Sequence, residues 1–245
     1  MTIQTTNPFT NKMVKSFKEM TETAVEGKVA KAQEAYTHWK ETSYQHRADL
    51  LHKVATLMRV KKSELAQTIT LEMGKILAQA EGEIDLSADI FDYYANHGEE
   101  FLADKVLDPE YGTALIRNSP IGVLLGVMPW NFPFYQVARF VAPNIMVGNT
   151  ILLKHASIVP QCAAALEELF AEAEAPAGLY TNLFISGKRA SALVSDKRIK
   201  GVSLTGSEEA GASIAIEAGK YLKKVVLELG GNDVFIILED ADMDK

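Results

Sequence analysis

Apolar residues recur at helical spacing through the first part of the chain. Between positions 21 and 102 they repeat every three or four residues, as Leu50, Val54 and Leu57 do. A repeat of this kind places apolar side chains on one face of a helix, so the segment is predicted to form consecutive amphipathic helices. Gly74 interrupts the pattern at a position where a helix is expected to end.

A short segment rich in turn residues follows the predicted helices. Asp108, Pro109 and Gly112 separate two short runs, 105–107 and 113–117. Turn residues between two such runs predict a β-hairpin rather than a further helix.

The second half of the chain alternates between apolar runs and helical stretches. This order predicts an α/β fold with βαβ units, in which a Rossmann-like parallel sheet is flanked by helices. Continuous apolar runs such as 121–128 favour strands that are buried on both faces. The predicted strands are 121–128, 150–153, 183–185, 200–204, 225–227 and 234–238, and the predicted helices between the earlier ones are 134–146, 160–173, 189–194 and 208–218.

Composition limits the class of protein further. The 245 residues are 47% hydrophobic and 23% charged, with a formal net charge of −7. This is a globular composition, and the negative charge argues against non-specific binding to nucleic acid or to an anionic membrane. We read no signal peptide and no membrane span, and we predict no metal site. The one cysteine, Cys162, excludes an intramolecular disulfide, and a cytoplasmic location is expected.

Ligands of open parallel sheets bind at the carboxyl ends of the strands, so the residues that follow each predicted strand are the candidates for chemistry. After the first strand, Asn131 lies between Pro129 and Pro133, which restrict the backbone around it. Its amide could donate hydrogen bonds to a developing oxyanion. The alternative is a tight strand-to-helix turn in which Asn131 caps the helix.

Polar residues also follow the later strands. Lys154 suits a ribose hydroxyl or a phosphate, or is simply solvated, and Ser157 could cap the next helix. Gly206 and Ser207 form a turn that opens a helix, where free N–H groups attract phosphate, although Gly206 could be only a turn residue. Glu228 precedes a double glycine and is either a general base or an exposed strand-end glutamate.

The order of these motifs resembles one family. PWNFP at 129–133, LLKHAS at 152–157, SLTGSEEAG at 203–211 and LELGG at 227–231 follow one another as in the NAD(P)-dependent aldehyde dehydrogenase superfamily. The resemblance extends over essentially the whole chain and is greatest to bacterial succinate-semialdehyde dehydrogenases. It implies a cofactor-binding domain over residues 1–227, including an N-terminal helical segment and a hairpin arm near 105–118. Residues 228–245 would then begin a catalytic domain.

The resemblance implies catalytic roles for two residues and a substrate role for a third. Asn131 would donate its amide to the oxyanion, and Glu228 would activate the water that hydrolyses a thioacyl intermediate. Arg139 would hold the distal carboxylate of succinate semialdehyde, because a guanidinium grips a carboxylate through two parallel hydrogen bonds. The alternative for Arg139 is a structural arginine paired with a local acid.

The resemblance also implies a cofactor, NADP or NAD. Ser157 stands where many NAD-preferring members carry a glutamate, so a 2′-phosphate would meet no carboxylate there and NADP is expected to be accepted. The other residues implied to bind the cofactor are Met128, Trp130, Lys154, Gly206, Ser207 and Leu229.

The family's nucleophilic cysteine has no counterpart here. Only 17 residues follow Glu228 (245 − 228), and none is cysteine, while Cys162 is expected to pack as a small hydrophobe. The nucleophile is therefore expected beyond the end of this chain, and the chain alone is predicted to be inactive. A full-length protein is expected to take a small-molecule aldehyde and to be a homo-oligomer. The alternative function is a non-catalytic nucleotide-binding or assembly fragment.

Overall fold

The structure, a computed structural model, describes residues 3–108 and 110–243. It opens with an antiparallel hairpin of β1 (Ile3–Asn7) and β2 (Lys12–Phe17), which the hydrophobic pattern did not predict. The residues of β2 are almost all exposed, so no apolar alternation marks that strand. On β1, Ile3 and Thr5 are buried, and Thr5 donates a hydrogen bond to the carboxylate of Glu72.

Four consecutive helices follow, as the periodicity predicted. They are α1 (Glu22–Trp39), α2 (Tyr44–Val60), α3 (Lys62–Met73) and α4 (Leu77–Leu102). Thr21 and Ser43 cap α1 and α2 by accepting hydrogen bonds from backbone N–H groups in the first turn. Gly74 ends α3 in the left-handed conformation, with φ of 78°, which confirms it as the helix stop.

The predicted hairpin is also present. Strands β3 (Lys105–Leu107) and β4 (Ala114–Ile116) pair in antiparallel register, with Val106 opposite Leu115. Both of these side chains are exposed. Pro109, one of the turn residues, lies outside the described residues.

The second half forms the predicted parallel sheet. Its strands β5 (Val123–Met128), β6 (Thr150–His155), β7 (Tyr180–Asn182), β8 (Ile199–Thr205) and β9 (Lys224–Glu228) lie in the order β7-β6-β5-β8-β9. The helices of this half are α5 (Tyr135–Val147), α6 (Pro160–Glu172), α7 (Gly187–Leu193) and α8 (Glu208–Lys220). The α/β fold is therefore confirmed. The strand order reverses direction at β5, so a ligand crevice is expected between β5 and β8.

Alternate residues of each central strand enter two separate hydrophobic clusters. Leu124 and Ile151 pack with residues of α2 to α6, whereas Leu125 and Leu152 pack with residues of α1, α7 and α8. The sheet is thus covered on both faces in its centre, as its continuous apolar strands predicted.

Two strand predictions were wrong. The strand predicted at 183–185 lies three residues earlier, at Tyr180–Asn182, because buried Thr181 and Asn182 pair with β6 while Leu183 and Ile185 fill the core from the segment that follows. The run 234–238 forms no strand, and its side chains are exposed. No neighbouring strand among the described residues pairs with it. Residues 244 and 245 of the predicted 228–245 segment lie outside the described residues.

Candidate active site and cofactor site

The turn that follows β5 carries the first candidate residues. Met128 ends the strand and is buried, while Trp130 and Asn131 are exposed. Asn131 does not cap the next helix, so that alternative was wrong: α5 begins at Tyr135, and the N–H groups of Phe134 and Tyr135 donate to Oε1 of Glu83 at 2.9 and 3.2 Å. The Asn131 side chain is therefore not committed to capping.

Lys154 lies at the end of the neighbouring strand β6. Its side chain is half-buried, and this burial lowers the pKa of its ammonium group because water is lost from the charged form. Within the part of the chain that the structure describes, no carboxylate approaches Lys154 to ion-pair distance. The interpretation of Lys154 as a fully solvated lysine was wrong.

Ser157 follows in the loop after β6. Its backbone carbonyl accepts a hydrogen bond from the Gln4 N–H at 3.2 Å. Ser157 does not cap α6, contrary to that alternative, because the N-cap position is Val159 and Pro160 opens the helix. No carboxylate side chain occupies position 157, as the sequence had already indicated.

The turn after β8 opens α8 as predicted. Ser207 is the N-cap residue, and its hydroxyl accepts a hydrogen bond from the Ala210 N–H at 3.3 Å. The N–H of Gly206 donates to the carbonyl of Glu228 at 3.0 Å, which ties this turn to the end of β9. Leu229 packs on the same helix, since a Cβ added at Gly211 would lie 2.5 Å from its Cδ2 atom.

A pocket of about 290 Å³ lies between α5 and the sheet face of β5, β8 and β9, and it extends along β9 from Lys224 to Glu228. Met128, Arg139 and Glu228 line it, together with apolar groups that include Phe140 and Val226. Nη2 of Arg139 lies 4.0 Å from Oε1 of Glu228, and both side chains are about half exposed, so the attraction between them is weak. The guanidinium also lies 5.5 Å from the centre of the Tyr135 ring. The pocket thus joins a cation and a carboxylate that are far apart in the sequence.

The candidate residues fall into two groups in space. Met128, Arg139 and Glu228 share the pocket, whereas Lys154, Ser157 and Ser207 do not line it. The second group lies at the carboxyl ends of β6 and β8 and in the loops that follow them. This arrangement would accommodate an extended ligand along the edge of the sheet, with a smaller reactant in the pocket.

Three buried residues around the turn were missed by the sequence analysis. Lys75 and Glu83 form a buried ion pair beside Asn131, and His155 donates from Nε2 to the carbonyl of Pro133 at 2.8 Å. The His155 tautomer follows from its second bond, because Nδ1 accepts the Ala156 N–H at 2.9 Å. Burial lowers the pKa of His155 to about 4, so the ring is neutral near pH 7.

The single cysteine is not placed for chemistry. Cys162 is fully buried in the first turn of α6, and its backbone N–H donates to Oε2 of Glu72 at 2.8 Å. Burial, aided by the Glu72 carboxylate, raises the pKa of its thiol well above the usual range. Among the described residues, no group of three or more histidine, cysteine or acidic side chains could hold a metal ion.

The whole chain, residues 1–245, matches the model of the aldehyde dehydrogenase family. The chain belongs to this family. The motifs from 129 to 231 therefore lie in a true member, and the resemblance read from them is confirmed.

Similar family members carry related names. The chain is 47% identical over 240 residues to a protein of Deinococcus radiodurans named succinate-semialdehyde dehydrogenase (NADP+), covering 98% of this chain and 50% of that one. It is 46% identical over 245 residues to a probable succinate-semialdehyde dehydrogenase (NADP+) of Synechocystis sp., covering 100% and 54%. The chain thus spans about half the length of these relatives.

Solved aldehyde dehydrogenases share the fold closely. Succinic semialdehyde dehydrogenase of Streptococcus pyogenes in complex with NADP+ superposes with a TM-score of 0.93 at 48% identity, covering 99% of this chain and 53% of that one. Among the residues that the structure of the present chain describes, no helix has the length and apolar character needed to cross a membrane.

Proposed function

We propose that this chain supplies the cofactor-binding domain, residues 1–227, of an aldehyde dehydrogenase that uses NADP in preference to NAD. Residues 228–245 would begin the catalytic domain. Lys154 supports the binding of a dinucleotide, because a half-buried ammonium group without a carboxylate partner favours an anionic ligand. Ser157 leaves room for a 2′-phosphate without charge repulsion, and the relatives above are named for NADP+.

The observation that carries the proposed reaction is the pocket that Arg139 and Glu228 share. Arg139 would bind the distal carboxylate of succinate semialdehyde, and this would draw the guanidinium away from its 4.0 Å contact with Glu228. Glu228 would then be available to take a proton from the water that hydrolyses the acyl intermediate. The apolar wall formed by Phe140 and Val226 suits the short carbon chain between the two polar ends of the substrate.

Asn131 would stabilise the oxyanion that forms when a thiolate adds to the aldehyde. Its side chain is exposed in the turn after β5 and is not used to cap α5. When bound, NADP+ supplies the hydride acceptor. Met128 and Trp130 would line its site beside Asn131, with the Leu229 backbone on the nicotinamide side, while Gly206, Ser207 and the N-terminus of α8 would meet its pyrophosphate.

The thiolate itself is proposed to come from outside these 245 residues. Cys162 cannot supply it, because the thiol is buried and its raised pKa keeps it protonated. This observation also favours a second candidate function for the chain by itself, namely a nucleotide-binding module without catalysis. The two candidates predict the same cofactor binding and differ only in whether a partner segment completes the site. An oligomer of the complete protein, in which the hairpin of β3 and β4 pairs with a neighbouring subunit, is part of the first candidate.

Calorimetric titration of the chain with NADP and with NAD tests the cofactor proposal. NADP is expected to bind more tightly. Lys154→Ala should weaken NADP binding about tenfold, while Lys188→Ala, at an exposed position of α7, should leave it unchanged. Ser157→Glu should weaken NADP about tenfold and spare NAD, because it places a carboxylate near the 2′-phosphate.

Two results would count against the proposal. Equal binding of NADP by the wild type and Lys154→Ala would remove Lys154 from the cofactor site. Reduction of NADP by this chain in the presence of succinate semialdehyde would show that the nucleophile is not outside it.

A further inference from the structure

The start of α5 depends on a residue from a different helix. The four N-terminal N–H groups of a helix have no partner within the helix, and Phe134, at the N-cap position, has no side chain that could accept them. Glu83 of α4 fills this role, with Oε1 accepting the N–H groups of Phe134 and Tyr135. The side chain of Glu83 is only 1% exposed, so this carboxylate is well shielded from water.

The other oxygen of the same carboxylate binds a cation. Oε2 of Glu83 accepts a hydrogen bond from the ammonium group of Lys75, whose side chain is 8% exposed. The ammonium group donates in addition to the backbone carbonyl of Asn131 at 2.9 Å and lies 3.6 Å from the centre of the Phe132 ring. One buried ion pair therefore contacts both the residue that carries the candidate oxyanion donor and the first turn of α5.

Stability alone does not account for this pair. Burying two charges costs desolvation energy that their attraction often only offsets, and apolar residues of similar size would do as well. Apolar residues could not, however, accept the N–H groups of α5 and donate to the Asn131 carbonyl at the same time. The ion pair therefore fixes the position of the Asn131 turn relative to the first turn of α5.

That relation matters because α5 also carries Arg139. Asn131 and Arg139 would have to engage opposite ends of one short substrate, and displacement of such groups by about 1 Å can cost a large factor in rate. We propose that Lys75 and Glu83 are positioning residues, which hold the Asn131 turn and the start of α5 in register; this inference rests on the proposed function. His155 supports the same turn from β6 through its bond to the Pro133 carbonyl.

The chain contains a matched control for this proposal. Glu72 is a second buried carboxylate, and it accepts the N–H groups of Gln161 at 2.9 Å and Cys162 at 2.8 Å at the start of α6. It also accepts hydrogen bonds from the Thr5 hydroxyl and the Cys162 thiol, which are neutral donors, and it makes no ion pair among the described residues. Loss of Glu72 should therefore affect a helix start without affecting the Asn131 turn.

The two tryptophans allow the turn to be observed directly. Trp130 is next to Asn131 and is 48% exposed, whereas Trp39 is 1% exposed and donates to the Ile145 carbonyl near the end of α5. The chain labelled with 5-fluorotryptophan should give two ¹⁹F resonances, a reporter of the turn and an internal reference in the core. The spectra are recorded without cofactor for the wild type, Lys75→Met, Lys75→Arg and Glu72→Gln.

The Trp130 resonance is expected to shift or broaden in Lys75→Met, to return towards the wild-type position in Lys75→Arg, and to stay in place in Glu72→Gln. The Trp39 resonance should remain constant in all of them. An unchanged Trp130 resonance in Lys75→Met, or an equal change in Glu72→Gln, would overturn the positioning role. If Lys75→Met does not melt cooperatively, Lys75→Gln carries the same test, because it removes the charge but keeps a donor.

The same samples separate this inference from the proposed function. Titration with NADP should move the Trp130 resonance of the wild type if the cofactor binds beside the turn. A wild-type chain that does not respond to NADP would contradict the proposed function, while the comparison without cofactor would still decide whether Lys75 orders the turn.

Discussion

Helices α5 and α6 begin in the same way. They differ in the other groups that the capping carboxylates bind. Neither N-cap residue contributes a side-chain hydrogen bond, and each helix start is closed by a buried glutamate from an earlier helix. Glu72 takes its further hydrogen bonds from neutral groups, the Thr5 hydroxyl and the Cys162 thiol, whereas Glu83 pairs with the cation Lys75. A remote carboxylate is thus sufficient to cap a helix. Of these two helix starts, the one that adjoins the Asn131 turn is the one with the added cation. This connects the ion pair with the candidate site rather than with helix capping.

Replacing each glutamate by alanine should break this comparison most strongly. Glu83→Ala leaves the buried Lys75 ammonium group without its counter-ion and two N–H groups without an acceptor, so the free energy of unfolding should fall by about 3–5 kcal/mol. Glu72→Ala leaves only neutral donors unpaired and should cost about 1–3 kcal/mol. Urea unfolding at pH 7 measures both values. A larger loss in Glu72→Ala would mean that the Lys75 charge is not buried in solution as it is in the structure.

Acid should lower the free energy of unfolding through His155, which supports the turn before α5. Its pKa is lowered from 6.5 to about 4 in the folded state, so the unfolded chain binds the proton first as the pH falls. The stabilising contribution is complete above pH 6.5, is lost between pH 6.5 and about 4, and amounts to about 3 kcal/mol for a shift of this size. The urea midpoint of the wild type should therefore fall more steeply over this range than that of His155→Gln. Parallel profiles for the two proteins would argue against a neutral, buried His155.

An exposed ion pair between α3 and α4 should have the smallest effect on stability. Nζ of Lys62 on α3 lies 3.1 Å from Oδ2 of Asp85 on α4, and the two side chains are 39% and 46% exposed. Solvent screening reduces such a pair to about 0–0.5 kcal/mol, so Lys62→Ala should hardly move the melting temperature. High salt should abolish whatever difference remains. A loss comparable to that in Glu83→Ala would show that burial is not what distinguishes the Lys75 pair.

Much of the fold could be predicted from local pattern. The helices of the first half, the β3–β4 hairpin and four of the five sheet strands follow from periodicity and turn residues, because each element has the apolar spacing of its own type. Strand β7 could not be located in this way, since its buried residues Thr181 and Asn182 are polar and its position depends on pairing with β6. The run 234–238 has the composition of a strand, but a strand also needs a neighbour to pair with.

The candidate site residues were predicted one at a time from sequence motifs. The residues that position them, Lys75 and Glu83, were not predicted. Asn131, Arg139, Lys154 and Glu228 lie in or beside recognisable sequence motifs. Glu83 reaches the turn from α4, and Lys75 reaches it from the short connection between α3 and α4, both far from Asn131 in the sequence. One local signal for Glu83 exists: it shares the inward face of α4 with Ala80, Ile84 and Ser87, where a charge needs a partner. The identity of that partner and the contact with Asn131 depend on the tertiary structure alone.

The burial of Cys162 makes the rate of thiol labelling a measure of local unfolding. Cys162 is the third residue of α6, beside the carboxylate that closes that helix, and the raised pKa of its thiol removes the reactive thiolate. A thiol reagent can therefore modify the protein only while this region is transiently open, so the labelling rate measures how often the start of α6 separates from Glu72. Because the chain has no other cysteine, that rate can be read from the unmodified sequence without introducing any probe.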